Sequence, residues 1–544
     1  MCAKQDRAQT GTGLSVAGVI IGVIGCVIIT ASSVYVALKM GALPWPSIFT
    51  SITALLLLRA LGRSSLAEAN VTQIIMSAGS MVAGGLAFTI PGIWMLGHTD
   101  EVSWVHMLGV ALCGTLLGLV CTALVRKRFI EDSNLEFPIG VASAQTLKAS
   151  QAGGKTGIKL FSSMAVAGVW SVARDVLGVI PAMLFALPIP GVSFGLYNSP
   201  MLLSVGFLVG GSAMAFWFGG ALVGNLGILV GAPALGLCDV TTAQGVVSSL
   251  GMGLMMGSGL GVIVRDILPK AATYLRSRSG EGAREGQGSS LPVPAGLLGL
   301  LTATAALLAC FALGLSPLVA VVVVAMSFVT TIMSAQSVGQ TGIDPMEIFG
   351  LIVLLAVAAL GESSQVKLFF VAGVIAVACG LSGDVMSDFK TGYIVGGNPR
   401  GMWIGQTIGA LLGSVVSVVV LMALVGAYGT GAFGPGQQFV SAQASVVATM
   451  VSGIPSIPSF VVGLVAGIVL YCLGLPAMMV GLGVYLPFYM SLTAPIGALC
   501  KLVWDRVRGD GAEEDGIVIA SGLLGGESIV GVIVALVTVV TSMM

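Results

Sequence analysis

Residues 383–400 read GDVMSDFKTGYIVGGNPR, two carboxylates, a lysine and an arginine set between apolar stretches. Asp384 and Asp388 are four apart, so on a helix they share one face. Lys390 follows closely, and Thr391-Gly392 favours a helix break. A charge at the bilayer centre costs about 2.5–3.5 kcal/mol on insertion scales. The stretch is therefore either a loop at the membrane face, where Lys390 and Arg400 mark the inside, or a broken helix lining a polar path. Paired carboxylates at that spacing also suit Mg²⁺ bridged to a diphosphate.

Other polar groups interrupt the apolar sequence. Glu527 lies near the middle of the last apolar run, flanked by Gly525-Gly526 and Ser528, which argues against a surface position. Arg174 and Asp175 lie within VAGVWSVARDVLGVIPAML. Neighbours on a helix point about 100° apart. The two are expected not to pair with each other but to find partners on other helices or line a cavity. The segment EFPIGVASAQTLKAS, 136–150, holds Glu136, Gln145 and Lys148. It is short and polar for a span. A re-entrant half-helix starting at Pro138 would aim its N-terminal amides at an anionic substrate group. The alternative is an amphipathic helix lying on the membrane face. Tyr35, Tyr393 and Tyr485 sit at the ends of apolar runs, as interfacial anchors or as substrate-stacking rings.

The elements that must position these groups follow from composition. The chain has 544 residues, 56% hydrophobic and 8% charged, with mean hydropathy +1.04. Soluble proteins carry about 25% charged residues. The expected fold is an all-α polytopic membrane protein in the lipid bilayer, with broken or re-entrant helices. Apolar runs of about 20 residues argue against a β-barrel of alternating strands. Lys+Arg and Asp+Glu are equal at 23 each, and no basic stripe points to nucleic acid. The nine cysteines are scattered, and His98 and His106 cannot form a zinc site alone. No cofactor or metal is expected. Glycine, 78 residues, suits close helix approach and broken helices.

Seventeen apolar runs imply about sixteen crossings, one or two of the runs being re-entrant. Runs at 46–62, 160–187, 346–361 and 439–453 are among the expected spans. The polar stretch 265–291 is expected as a cytoplasmic linker between halves 1–264 and 292–544. The first apolar run is long enough to be a helix rather than a cleaved signal. Positive charge places Arg59, Arg63, Arg126–Arg128, the linker and Lys501–Arg508 inside, with the N-terminus. Loops 97–103, 188–199 and 428–438 hold no Lys or Arg and are expected outside. The halves echo each other faintly: PSIF (46–49) with MEIF (346–349), EFPIG (136–140) with DFKTG (388–392), and VGFLVGGSAM (205–214) with LGVYLPFYM (482–490).

The stretch 383–400 resembles the signature of the oligopeptide transporter family, particularly its yellow-stripe-like branch and bacterial relatives. YVALKMGALPWPSIFTSI (35–52), LEFPIGVASAQTLKAS (135–150), SVGQTGIDPMEIFGL (337–351), VYLPFYMSLTAPIGAL (484–499) and SGLLGGESIVGV (521–532) match in order. The resemblance implies a plasma-membrane secondary transporter for small peptides or metal chelates, usually driven by protons, and makes a homodimer plausible. Proton coupling needs a carboxylate whose affinity changes as the site opens. Glu527, Asp388, Asp384 and Asp175 with Arg174 are the candidates, Asp388 as an ion pair with Lys390. Glu136, Gln145, Lys148, Lys390, Tyr393 and Tyr485 are the candidates for substrate contact. The competing reading is an intramembrane Mg²⁺ enzyme acting on a prenyl diphosphate through Asp384 and Asp388. No second acidic cluster supports it, and no HExxH or GxSxG element offers hydrolysis. A channel ranks last, because the charges form no ring.

Overall fold

The computed structural model describes residues 13–543 except 42, 44–45, 134, 136, 152–155, 190–191, 263, 266–290, 343, 453 and 509–512. Glu136 and nearly all of the expected linker therefore lie outside the described residues, as does the side chain of Gln145.

The first half is built from α1 (Val16–Met40), α2 (Pro46–Ala60), α3 (Leu66–Ala87), α4 (Pro91–Met95), α5 (Trp104–Ile130), α6 (Pro138–Gln151) and α7 (Thr156–Ser171), followed by strands β1 (Met183–Ile189) and β2 (Val192–Tyr197), then α8 (Pro200–Val209), α9 (Gly211–Ala221), the short α10 (Ala232–Ala234) and α11 (Val240–Val262). The second runs α12 (Ala295–Phe311), α13 (Pro317–Thr341), α14 (Met346–Ala359), α15 (Gln365–Ser382), α16 (Asp384–Ile394), α17 (Pro399–Tyr428), α18 (Ala442–Ser452), α19 (Ile457–Cys472), α20 (Ala477–Tyr485), α21 (Phe488–Arg508) and α22 (Glu513–Met543). Among the described residues, seven helical stretches are long and apolar enough to cross a bilayer, and six shorter helices are apolar.

The halves are one motif used twice. Helix α1 is capped by Ser15, whose Oγ accepts from the Gly18 N–H at 2.9 Å, and it closes on left-handed Gly41. Helix α13 is capped by Ser316, accepting from Val319 at 3.3 Å, and closes on left-handed Gly342. A left-handed residue after the last turn satisfies orphan carbonyls, and glycine adopts it without a Cβ clash. Positive φ recurs in order at Gly62 and Gly361, and at Gly97 and Gly396. Among described non-glycine residues only Phe137 and Ser441 have positive φ, and each stands just before a short helix, α6 or α18. Their amides donate to equivalent carbonyls, Gly339 at 3.0 Å and Leu38 at 2.9 Å.

The repeats run in opposite directions. The start of α1 meets the start of α3, where Ser15 donates to Glu68. The start of α15 instead meets the far end of the α3–α4 stretch, where His98 Nε2 lies 2.9 Å from Gln365 Oε1. Glycine approaches hold the inverted pairs together. A Cβ on Gly526 of α22 would stand 2.2 Å from the Met164 carbonyl of α7. On Gly257 of α11 it would stand 2.2 Å from the Leu464 carbonyl of α19. Small residues at such crossings let backbones pack without a hydrophobic driving force.

Packing sorts the helices into two groups, each drawing on both repeats. One comprises α1–α6 and α12–α18, centred on α3, α5, α15 and α17. The other comprises α7–α11 and α19–α22, with α7 on α22, α11 on α19, α8 on α21 and α9 on α20. Helix α22 joins them through α1 and α17.

Two expectations change. The run 160–187 is not one span: α7 ends at Ser171, widens into a π turn at Val172–Val176, and gives way to the antiparallel hairpin β1–β2. Gly178, with φ 63, and Pro181 stop the helix there. EFPIG and DFKTG are not equivalent positions; α6 packs directly on α16, and its counterpart in the second repeat is α18. The other two echoes do fall at equivalent places, the starts of α2 and α14 and the breaks after α8 and α20.

Candidate functional site

Several helices are too short to span, and three of them, α2, α14 and α18, fall on the runs 46–62, 346–361 and 439–453 that are expected to cross. α2, α6, α14 and α18 have 15, 14, 14 and 11 residues. At about 1.5 Å per residue, none covers a hydrocarbon core of about 30 Å. Their second residues, Ser47, Ile139, Glu347 and Gln443, all border one cavity of about 730 Å³. Four helix N-termini, with their free amides and the positive end of the helix dipole, thus meet at one space. Gly41 and Gly342, which end α1 and α13, border it as well.

The cavity lies between the two helix groups. Met81, Phe88, Trp217, Met478 and Leu482 give it apolar walls. Asp344, Glu347 and Asp384 supply carboxylates, and Arg265, donating to the Tyr471 carbonyl at 2.8 Å, marks another edge. Glu347 is buried, and neither Asp344 carboxylate oxygen meets a donor among the described residues. A buried acceptor left unpaired is costly, so this end is ready for a cationic or hydrogen-donating ligand.

A second polar cluster centres on Glu527, buried in α22. Arg174 Nη2 donates to Oε1 at 2.8 Å, and the Met201 N–H donates to Oε2 at 2.8 Å. Ser199 Oγ lies 2.9 and 3.0 Å from the two oxygens. Ser199 caps α8, so the carboxylate sits at a helix N-terminus, where its charge is favoured. Arg174 also holds Asp175 with two bonds of 2.7 Å and donates to the Asn198 carbonyl. The expectation that Arg174 and Asp175 do not pair is therefore corrected. They fall in the π turn rather than a regular helix, and the long arginine folds back onto its neighbour.

Asp388 forms a third niche. It is 1% exposed, and it accepts from Gln73 Nε2 and Ser77 Oγ, each at 2.5 Å. The expected Asp388–Lys390 ion pair is absent among the described residues. Lys390 instead donates to the Leu135 carbonyl at 3.1 Å and lies 5.8 Å from the Phe137 ring centre. Residues two apart on a helix point to different sides. Asp384 and Asp388 likewise divide: Asp384 borders the cavity, while Asp388 is taken up by α3.

The family described as "OPT oligopeptide transporter protein" matches residues 14–538. The chain belongs to the oligopeptide transporter family. A "Putative oligopeptide transporter" of Haemophilus influenzae is similar to it, 25% identical over 592 residues, covering 92% of each chain. A "Probable metal-nicotianamine transporter YSL10" of rice is 29% identical over 226 residues, covering 36% of this chain and 32% of its own. "Probable metal-nicotianamine transporter YSL8" of Arabidopsis thaliana is 27% identical over 224 residues, covering 36% and 30%. These are transporters, and the diphosphate-enzyme reading finds no support.

In this oligopeptide transporter family chain, the expected site residues fall in several places. Asp384 borders the cavity; Glu527, Arg174 and Asp175 form one network; Asp388 is held by α3. Lys148 is exposed on α6, Tyr393 is 38% exposed at the end of α16, and Tyr485 packs against Gly251 of α11. None of these three borders the cavity. Sequence reasoning passed over Asp344, Glu347, Ser47 and Gln443. The signal for the first two was present: two acids around Pro345, just before an apolar helix, in a chain with only 23 acids. It also passed over Lys39, whose ammonium faces Tyr35 and Tyr197 at 5.6 and 5.9 Å.

Proposed function

We propose that the chain is a secondary active transporter that carries small oligopeptides or metal chelates into the cell in symport with protons, by alternating access. The supporting observation is the meeting of four half-helix N-termini and three carboxylates at one cavity. Peptides and amino-acid-derived chelates carry both amines and carboxylates. Free helix amides suit the carboxylates, and Asp344, Glu347 and Asp384 suit the amines. A cavity of about 730 Å³ lies within the usual range for small-molecule sites. Inverted repeats with broken helices at the centre are the usual build of alternating-access carriers.

In this reading Glu527 and Asp388 take up the coupling protons, and protonation of Glu527 loosens its hold on Arg174 and Ser199. Asp384 links proton and substrate at the cavity, while Arg174 and Asp175 set the affinity of Glu527. Lys390 and Lys148, with Glu136, Gln145, Tyr393 and Tyr485, line the approach used in other conformations. The protein sits in the plasma membrane as a homodimer. Its N-terminus and the 265–291 segment between the halves 1–264 and 292–544 face the cytoplasm.

The test is uptake into proteoliposomes under an imposed pH gradient, with trialanine and nickel–nicotianamine as probes. Gradient-dependent accumulation of at least one is expected. Accumulation of neither above a gradient-free control refutes the reading.

A further inference from the structure

Asp344, Glu347, Asp384 and Ser387 all border the central cavity. Two of the acids are brought together by the backbone. Asp344 Oδ2 stands 2.8 Å from where a Cβ on Gly383 would be, so this carboxylate lies against the break between α15 and α16, and Asp384 is the next residue of the chain. Ser387 follows three residues after Asp384 on α16, on the same face. Among the described residues no lysine, arginine or histidine is in ion-pair contact with Asp344, Glu347 or Asp384. Neither Asp344 oxygen meets a donor there, and Ser387 Oγ, on a residue only 2% exposed, has no hydrogen-bond partner. Glu347 is 3% exposed. Native proteins leave few buried polar groups unpaired, and each costs about 1–3 kcal/mol. Several of them around one cavity await a ligand.

The missing partner is a cation rich in donors. An ammonium brings one positive charge and three N–H donors, which the carboxylates and the serine hydroxyl can accept. Among the described residues no group of three Asp, Glu, His or Cys side chains is gathered closely enough to hold a metal ion. The inverted repeat builds the same backbone without the acids. Left-handed Gly62 and Gly361, and Gly97 and Gly396, keep one spacing between the repeats. That register sets Gly85 against Asp384 and Phe88 against Ser387, and Ser47 stands second in α2 as Glu347 does in α14. Every carboxylate lining the cavity thus comes from the second repeat, and the fold does not demand them.

We infer that Asp344 and Asp384, with Ser387 and Glu347, form the subsite for the free N-terminal ammonium of a peptide substrate. The inference rests on the transport reading above and narrows its substrate class. In a metal chelate the amines are bonded to the metal and are not ammonium ions, so the acidic wall favours a free peptide. It also orients that peptide, amino end toward the second repeat.

The experiment measures competition against labelled trialanine uptake in proteoliposomes, by trialanine and by desaminotrialanine, in which a hydrogen replaces the ammonium. Hydrogen bonds between charged groups correspond to roughly a ten- to hundredfold change in affinity. The desamino peptide is expected to compete more weakly with the wild type by about that factor. D344N is expected to lose affinity for trialanine by a similar factor while binding the desamino peptide unchanged, so that the preference shrinks. The wild-type comparison does not depend on how well the variant folds. Equal competition by the two peptides in the wild type, or equal loss of both in D344N, overturns the inference. Accumulation of nickel–nicotianamine without trialanine overturns it while leaving transport standing, and accumulation of neither overturns both.

Discussion

The substitution E527Q separates proton coupling from substrate passage. In the structure Glu527 accepts from Arg174, Ser199 and the Met201 amide. A glutamine keeps one acceptor oxygen and turns an NH₂ group toward Arg174 or Met201, while the Ser199 hydroxyl can rotate to accept. Breaking a buried ion pair costs about 3–5 kcal/mol when the partner is left alone. Arg174 is not left alone, because Asp175 and the Asn198 carbonyl still hold it. The loss is closer to that of one charge-assisted hydrogen bond, about 2 kcal/mol, or roughly thirtyfold in an equilibrium. The bond ties α22 to the end of α7 and the start of α8, so a glutamine holds that point in the loosened arrangement of a protonated Glu527 at every pH, a bias of the same factor against the proton-free form. An amide also carries no transferable proton. Uptake driven by a pH gradient is therefore expected to fall about thirtyfold. Exchange of labelled substrate at equal pH, which needs no net proton movement, is expected to fall much less. Both are measured in the same proteoliposomes, with monodispersity checked in detergent. Equal loss of both in well-folded protein refutes the coupling role of Glu527.

Three further outcomes follow from other contacts. The Asp388 carboxylate and Lys390 engage different partners, so D388N and K390M should act additively on thermal stability to within about 0.5 kcal/mol; a coupling energy well above that in a double-mutant cycle contradicts the geometry. G526V places a side chain against the Met164 carbonyl, 2.2 Å from where its Cβ would stand, and should destabilise by about 1–3 kcal/mol; an unchanged melting temperature rules out that close crossing. His98, in the loop after α4, has its pKa raised above the ordinary 6.5 by hydrogen bonds to Glu101 and then Gln365. Protonation thus favours the folded contact: its contribution is complete below about pH 6.5 and fades as pH rises through the higher folded value. The Glu101 partner is mostly exposed, so the effect stays under about 1 kcal/mol. H98A should flatten the pH dependence of the melting temperature in that window, and an unaltered profile would remove the contact's role.

Much of this architecture can be read from residue types. The apolar excess dictates a helical bundle in lipid, and Pro138 with its glycines marks a half-helix before any coordinates are known. PSIF and MEIF fall at the starts of two more, α2 and α14, but the apolar runs they open read as full spans because nothing in their composition shows how early the helices stop. What the residues conceal is their pairing. The Asp388–Lys390 expectation treats nearness in sequence as nearness in space, and helix geometry sends the two side chains to different neighbours. The repeat is nearly invisible in residue identity because lipid-facing helices accept any apolar side chain. It survives in the sign of φ at Gly41 and Gly342, and at Phe137 and Ser441, where the backbone has little choice. Asp344 and Glu347 lie in a motif that carries the family resemblance, yet their convergence with Ser47 and Gln443 depends on chain segments about three hundred residues before them and about one hundred after.

The β1–β2 hairpin breaks the likeness of the two repeats. Between α19 and α20 the chain crosses in a turn of residues 473–476. Between α7 and α8 it builds a hairpin whose Phe194 stacks on Phe488 at 4.9 Å and whose Tyr197 amide donates to Thr493 at 3.0 Å. In the alternating-access cycle proposed above, any movement of α21 away from the hairpin must break those stacking and hydrogen-bonded contacts, whereas the turn at 473–476 is held to the chain beside it by the Arg265 guanidinium on the Tyr471 carbonyl. The same step of the two repeats is thus fastened by aromatic stacking in one and by a single cation in the other.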